Sequence, residues 1–145
     1  IAVLALGCFW GPEIKFSKIE GIIKTEVGYC GGKNPTTTYK EVCTGKTNHA
    51  EVVKLEFDEK IISYQKILKI FFQIHDPTTL NSQGPDFGTQ YRSEIFYLND
   101  NQKKVAEKVL KDTNLRLSGK VVTKISLLKN YCPAEEYHQK YLEKR

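Results

Sequence analysis

His49-Ala50-Glu51-Val52-Val53-Lys54-Leu55-Glu56-Phe57 alternates between two faces, as a β-strand does. Glu51, Val53, Leu55 and Phe57 fall on one side; Ala50, Val52, Lys54 and Glu56 fall on the other. Both faces have apolar members, but Lys54 and Glu56 mark the second as the wetter one. Glu51 therefore points toward the core, beside Val53, Leu55 and Phe57. A carboxyl in that position needs an explanation.

Elements of both kinds surround this strand. The apolar run Ile1–Leu6 reads as a buried strand, and Pro12 followed by Glu13 starts a helix predicted to reach Lys18. Ile23 to Tyr29 alternates as a strand, and Gly31-Gly32-Lys33-Asn34-Pro35 with three threonines forms a loop. From Ser63, Ile67, Leu68, Phe71, Phe72 and Ile74 make the buried side of an amphipathic helix that stops at His75-Asp76-Pro77. Thr78 to Thr89 reads as a long loop, and Ser93 to Leu98 as a strand. A helix capped by Asp100 is expected to run to Lys111, followed by a strand from Val121 to Leu128. A short polar helix is expected from Pro133 onward. The order β-α-β, β-α-β, α-β and an irregular tail predicts an α+β fold with a largely antiparallel sheet. The ferredoxin-like split β-α-β plait is the topology that fits.

The 145 residues suit one domain, 1–145, and 40% hydrophobic with 27% charged residues excludes a disordered chain, a collagen-like repeat or a coiled coil. The longest apolar run is six residues, Ile1 to Leu6, which cannot span a bilayer, so no membrane partner is expected. No methionine occurs, which reads as a processed product or a domain lifted from something longer. The net charge of +5 comes from dispersed lysines and reads as a solvated surface. Cys8, Cys30, Cys43 and Cys132 form no CxxC pair, and neither they nor His49, His75 and His138 have metal-ligand spacing. No metal and no organic cofactor are expected. Free thiols in a chain with this much core fit a reducing compartment, the cytoplasm, and a monomer is the expected state.

Cys8 lies between a buried strand and a helix start. Backbone N–H groups and the positive end of the helix dipole stabilise a thiolate there and lower its pKa. Phe9 and Trp10 follow directly, placed to wall an apolar pocket beside the sulfur. A carboxyl such as Glu51 on an apolar face loses solvation and stays protonated near neutrality, as a general acid must. His49 is a candidate base for Cys8, although an ordinary hydrogen-bonded loop histidine is the simpler reading. His138, Cys30 and Cys43 read as structural.

The segment Gly7-Cys8-Phe9-Trp10-Gly11-Pro12-Glu13 resembles the GCFWG-x-E active-site motif of the A-class peptide methionine sulfoxide reductases. Gly28-Tyr29-Cys30-Gly31-Gly32 is similar to the family's GYxGG, and Tyr39 through Glu51 to its Y-x-x-V-x-x-G-x-T-G-H-A-E. His75-Asp76-Pro77-Thr78, Gly84-Pro85-Asp86-Phe87-Gly88-Thr89-Gln90-Tyr91-Arg92-Ser93 and Pro133-Ala134-Glu135-Glu136-Tyr137-His138-Gln139 resemble later blocks, in family order. Two departures stand out. Asn48 replaces the usual glycine, and the family's glycine-rich C-terminal tail with resolving cysteines is absent from these residues.

The resemblance implies reduction of methionine S-sulfoxide, free and in proteins, through a cysteine sulfenic acid recycled by thioredoxin or another thiol. It implies that Cys8 attacks the sulfoxide sulfur and that Phe9 and Trp10 hold the S-methyl group. Tyr39, Glu51 and Tyr91 then hydrogen-bond the sulfoxide oxygen, and Asp86 lines the same pocket. For recycling, Cys132 is the expected second thiol if the chain ends near Arg145, because it precedes Pro133 in a late loop placed to move; if a longer tail exists, a cysteine beyond Arg145 is expected instead and Cys132 is a packed thiol. The rival reading is a basic ferredoxin-like nucleic-acid-binding module, which needs alternating exposed aromatics beside a basic stripe. Phe96 and Tyr97 are adjacent and point oppositely, so no nucleic acid partner is expected.

Overall fold

The computed structural model describes residues 1–144. Strand β1, Ala2–Leu6, is buried along its whole length. It lies inside the sheet, paired antiparallel with β3 (Ala50–Phe57) on one side and β6 (Ser93–Tyr97) on the other. A strand with neighbours on both edges and cover on both faces has no wet side, which is why its sequence is an unbroken apolar run.

The other strands are β2 (Ile22–Cys30), β4 (Ser82–Gln83), β5 (Asp86–Phe87), β7 (Lys124–Leu127) and β8 (Cys132–Pro133). The main sheet has the order β7-β6-β1-β3-β2-β8, and β4 with β5 forms a separate hairpin. Every pair in the main sheet is antiparallel except β6 with β7. The fold is therefore mixed α+β with a mostly antiparallel sheet, as expected.

The helices are α1 (Trp10–Ser17), α2 (Tyr39–Cys43), α3 (Tyr64–Gln73) and α4 (Asp100–Arg116). One face of the sheet, with Leu4, Val27, Tyr29, Val53 and Leu55, packs with Phe16 of α1, Ile67, Leu68 and Phe71 of α3 and Val109 of α4. The opposite face buries Val3, Ala5, Cys30, Ala50, Val52 and Phe96 under Leu98, Leu128 and Tyr131. Glu51 is on the helix-covered face, and Glu56 is exposed, so the alternation of this strand holds. Among the described residues no helix is long and apolar enough to cross a membrane.

Several expected boundaries move. Helix α1 begins at Trp10 instead of Pro12, because a proline within the first turn lacks only an N–H that would have no helical partner. Helix α4 runs past Lys111 to Arg116, and its cap is Asn99, whose side chain accepts from Gln102 N–H at 2.9 Å. Asp100 is instead a first-turn acid that complements the dipole. The Val121–Leu128 strand contracts to β7, and α4 acts as the crossover that makes β7 parallel to β6.

Helix α2 falls in the segment left as loop and motif, capped by Thr38, which accepts from Glu41 N–H at 3.2 Å. Among the described residues no α-helix forms from Pro133 onward: β8 and a 3-10 turn at Glu136–His138 take its place. The edge of β2 claims this backbone. Ala134 N–H donates to Val27 O at 3.0 Å, and the Gln139 amide takes both the N–H and the C=O of Val27 at 2.9 and 2.8 Å.

Candidate active site

Strand β1 ends at Leu6, and Gly7 turns the chain out of the sheet at φ 96°, a left-handed conformation that a side chain disfavours. A Cβ there would meet the Gln83 side chain at 2.7 Å, so the hairpin carrying Asp86 closes directly over this turn. Cys8 follows, half-buried, with its sulfur hydrogen-bonded by the Trp10 backbone N–H at the first turn of α1. The helix end acts in the expected direction, but its effect is the smaller one. Loss of solvation dominates, the Glu51 and Asp86 carboxylates add to it, and the Cys8 pKa is pushed up to about 11. The lowered pKa expected from position alone is not what the resting site has: Cys8 waits as a thiol.

Glu51 is the acid beside it. It is 1% exposed, and its Oε1 accepts the Phe9 N–H at 3.3 Å. Its Oε2 is buried with no hydrogen-bond partner among the described residues. Burial outweighs the Phe9 hydrogen bond and, with the Asp86 charge, raises the Glu51 pKa to about 8. At neutral pH this is a carboxylic acid, as the alternation of β3 predicts. Strand pairing fixes its place, since Glu51 faces Tyr29 across β2–β3.

Phe9 and Trp10 divide the role expected of both. Phe9 is 1% exposed, part of the core, with its ring 5.8 Å from Tyr29 and 5.3 Å from His138. Trp10 is the half-buried ring. Its Nε1–H donates to His138 Nδ1 at 3.1 Å, and its face stacks on Tyr141 at 4.0 Å and 14°. Burial lowers the His138 pKa, so this imidazole is neutral and free to accept from the indole. The reading of His138 as structural misses this tie to the pocket.

Two tyrosines stand opposite. Tyr39 opens α2, and Tyr91 closes a 3-10 turn at Thr89–Tyr91. Their hydroxyls hydrogen-bond each other, and both feel the Glu51 charge. Burial raises both phenols, Tyr91 to about 12, so they remain neutral donors. Asp86, on β5, acts on Cys8, Glu51 and Tyr91 through its charge. Cys8, Glu51, Tyr39, Asp86 and Tyr91 thus converge, from five separate segments.

Other candidates stand apart. His49 Nε2–H donates to Asn34 O at 2.9 Å, and the ring fills the space that a Cβ on Gly32 would need, so it clamps a loop. Cys30 is fully buried on the opposite sheet face. Cys132 is not in a free loop: it is half-buried in β8, paired with Tyr29. Cys43 is exposed at the end of α2, hydrogen-bonded to the Tyr39 hydroxyl. No group of three or more His, Cys, Asp or Glu is placed to hold a metal ion among the described residues.

A thiol, a carboxyl held neutral and two neutral phenols brought together are groups with which a cysteine oxidoreductase could attack through sulfur and supply a proton to an oxygen. Comparison with known proteins agrees. The sequence model of the family described as peptide methionine sulfoxide reductase matches residues 1–145, and the chain belongs to that family. It is 81% identical over 145 residues to peptide methionine sulfoxide reductase MsrA of Pelagibacter ubique (strain HTCC1062), covering 100% of this chain and 99% of that one. Among solved structures it is similar to Mxr1 from Saccharomyces cerevisiae in reduced form, with TM-score 0.94 and 42% identity over 99% of this chain and 84% of that one. Mxr1 in complex with Trx2 also matches, with TM-score 0.69 and 27% identity over 97% and 82% of the two chains.

Proposed function

We propose that this chain, as one reductase domain over residues 1–145, reduces methionine S-sulfoxide, free or in proteins, with Cys8 as nucleophile and Glu51 as acid. The observation that carries the reading is the Glu51 carboxyl: fully buried, one oxygen without a partner, tied to the backbone next to Cys8 and protonated up to about pH 8. Sulfoxide oxygen leaves only once protonated. Cys8 sulfur attacks the sulfoxide sulfur while Glu51 protonates the oxygen, with the Tyr39 and Tyr91 hydroxyls donating to it as charge develops; the hydroxyl then passes to the Cys8 sulfur as the new sulfur–sulfur bond breaks and the thioether is released. The thiol's own proton restores Glu51. The balance is one thiol and one sulfoxide in, one sulfenic acid and one methionine out. Trp10, pinned by His138, holds the S-methyl group with Phe9 backing it from the core, and Asp86 lines the same site.

The sulfenic acid then condenses with a second thiol, releasing water, and the disulfide is reduced by an external dithiol. The complex of the similar Mxr1 with Trx2 supports a thioredoxin as that dithiol. Cys132 is our candidate second thiol. Register puts Cys132, Tyr29 and Glu51 on one sheet face, and β8 is only two residues long, so its detachment breaks few bonds. Four free cysteines support a reducing compartment, the cytoplasm, and we read the chain as a monomer without a nucleic acid partner. The strand order β6-β1-β3-β2, with α1 and α3 as the two connections, supports the ferredoxin-like plait.

Dithiothreitol-driven turnover of separate R and S epimers of a methionine sulfoxide peptide tests the activity. Turnover of the S epimer is expected; turnover of the R epimer alone, or of neither, refutes it. Mass spectrometry after one equivalent of sulfoxide without reductant tests the recycling: a Cys8–Cys132 linkage supports it, while a Cys8–Cys43 linkage or a persistent sulfenic acid overturns it.

A further inference from the structure

Glu135 lies outside the pocket yet touches two of the groups that frame it. Its Oε1 accepts from the Tyr29 hydroxyl at 2.8 Å, and its Oε2 accepts from the Tyr39 backbone N–H at 3.0 Å. The Tyr137 hydroxyl, on the exposed side, is a third donor at 3.5 Å from Oε2. Tyr29 is fully buried and is the cross-strand partner of Glu51; Tyr39 is the first residue of α2, and its hydroxyl meets Tyr91 and Cys43 within range of the Glu51 charge. One carboxylate therefore spans the gap between β2, the strand paired with the acid's own strand, and the helix that begins with Tyr39.

Helix α2 needs such a strut. It has five residues, a little over one turn, too short to hold its own orientation in water. Its Thr38 cap, at 3.2 Å from Glu41 N–H, is exposed and secures the helix only to itself. The Tyr39 N–H is one of the groups at a helix start that has no partner within the helix, and Glu135 supplies one from a distant part of the chain. Burial acts to raise the Glu135 pKa, but the Tyr39 and Tyr29 hydrogen bonds outweigh it and hold this carboxyl below its ordinary value. It is therefore ionised at neutral pH, and hydrogen bonds to an ionised acceptor are among the stronger ones.

We propose that Glu135 is a positioning residue for the reduction: it fixes the Tyr39 hydroxyl relative to Glu51 by bridging the Tyr39 backbone and Tyr29. This rests on the reading of Tyr39 as a donor to the sulfoxide oxygen. Because that donor acts mainly on charge that develops during reaction, misplacing it lowers kcat and leaves KM nearly unchanged.

Three variants and one second background test this, each assayed with the S epimer peptide and dithiothreitol and each checked for folding by thermal melting. Glu135→Ala removes the strut, and kcat falls roughly 10- to 100-fold, the size expected for a displacement of about 1 Å in a catalytic group. Glu135→Gln restores most of it, since the amide oxygen accepts from Tyr39 N–H while the amide N–H donates to the Tyr29 hydroxyl oxygen. Glu135→Asp is charged but too short to bridge both partners, so it falls with Ala, and it replaces Ala in the argument if Ala does not fold. In a Tyr39→Phe background the same substitutions cost little more, because the hydroxyl they would displace is gone. Equal losses with and without Tyr39→Phe, or a Gln variant as impaired as Ala, overturn the proposal while leaving the pocket reading intact. A Tyr39→Phe protein as active as the parent refutes the donor role of Tyr39, and the proposal falls with it.

Discussion

Glu51→Gln separates the acid from everything else that Glu51 does. The amide oxygen can still accept the Phe9 N–H, now 3.3 Å from Oε1. On the other arm an –NH2 replaces an –OH at an atom that already lacks a partner among the described residues, so the fold loses little there. Only the transferable proton disappears. With a pKa near 8, Glu51 is about nine-tenths protonated at pH 7, against roughly one part in 300 at the ordinary value of 4.5. Loss of a working general acid slows reaction by about 10²–10⁴-fold.

The same substitution has a signature in stability. Between pH 4.5 and about 8 the unfolded chain ionises this group while the folded chain keeps it protonated. The folded state then binds more protons, so stability falls as pH rises through that window, and below it the group contributes nothing. Glutamine does not titrate. Its unfolding free energy should match the parent near pH 4 and exceed it above pH 8 by on the order of a few kcal/mol, with a melting temperature that rises accordingly. Single-turnover sulfenic acid formation, followed by rapid quench with the S epimer peptide, gives the first readout, and melts across pH give the second. An unaltered single-turnover rate assigns the proton to Tyr39, Tyr91 or water. A melting difference that does not change with pH removes the claim that burial keeps this carboxyl neutral.

Cys8→Ser should abolish turnover with melting unchanged, because a serine hydroxyl is almost never ionised; substantial residual activity means another cysteine does the work. If the reacting form pairs a Cys8 thiolate with neutral Glu51, kcat/KM climbs about tenfold per pH unit up to about 8. It is then flat toward about 11, where loss of acid offsets gain of thiolate, and a profile flat from pH 5 to 8 rejects thiolate attack. His138→Phe keeps a ring among Phe9, Trp10 and Tyr39 but removes the acceptor of the indole N–H at 3.1 Å. Its KM should rise roughly fivefold, about the contribution of one hydrogen bond, with a shift in the emission of Trp10, the one tryptophan of the chain. An unchanged KM and spectrum would show that Tyr141 alone positions Trp10.

Glu51 was legible in the sequence because its position follows from a period of two: whatever buries Val53 and Leu55 buries it too. Cys8 was legible as a site and misread in its resting charge. The helix end is visible as Pro12 and Glu13, but the Glu51 and Asp86 charges that act on Cys8, and the Gln83 side chain over Gly7, arrive from distant segments. The same limit hid α2 and Glu135. A five-residue helix has too few residues for a period to emerge, and its anchor is 96 positions away in sequence. Past Pro133 the local signals favour a helix, yet the unpaired edge of β2 offers Val27 N–H and C=O, and a sheet edge with open donors and acceptors wins over a short polar helix.

The site also divides by how firmly each part is held. Glu51 lies near the start of β3, inside the sheet, where both faces are packed and the register allows no slip, and Cys8 lies two residues past the neighbouring β1, tied to Glu51 through the Phe9 N–H. Tyr39, Asp86 and Tyr91 sit on a single-turn helix, a two-residue hairpin arm and a 3-10 turn, elements with few hydrogen bonds of their own. Sulfur attack demands a fixed line between thiol and acid, whereas a methionine sulfoxide within a polypeptide arrives with varied neighbours and needs walls that yield. Rigidity is thus concentrated where bonds change. The terminal segment then limits how far the walls can yield, since Glu135 holds Tyr39 and His138 holds Trp10 from opposite sides of the same 3-10 turn. Loosening that one segment should therefore disturb both the oxygen and the methyl ends of the site, while leaving Glu51 and its bond from the Phe9 N–H in place.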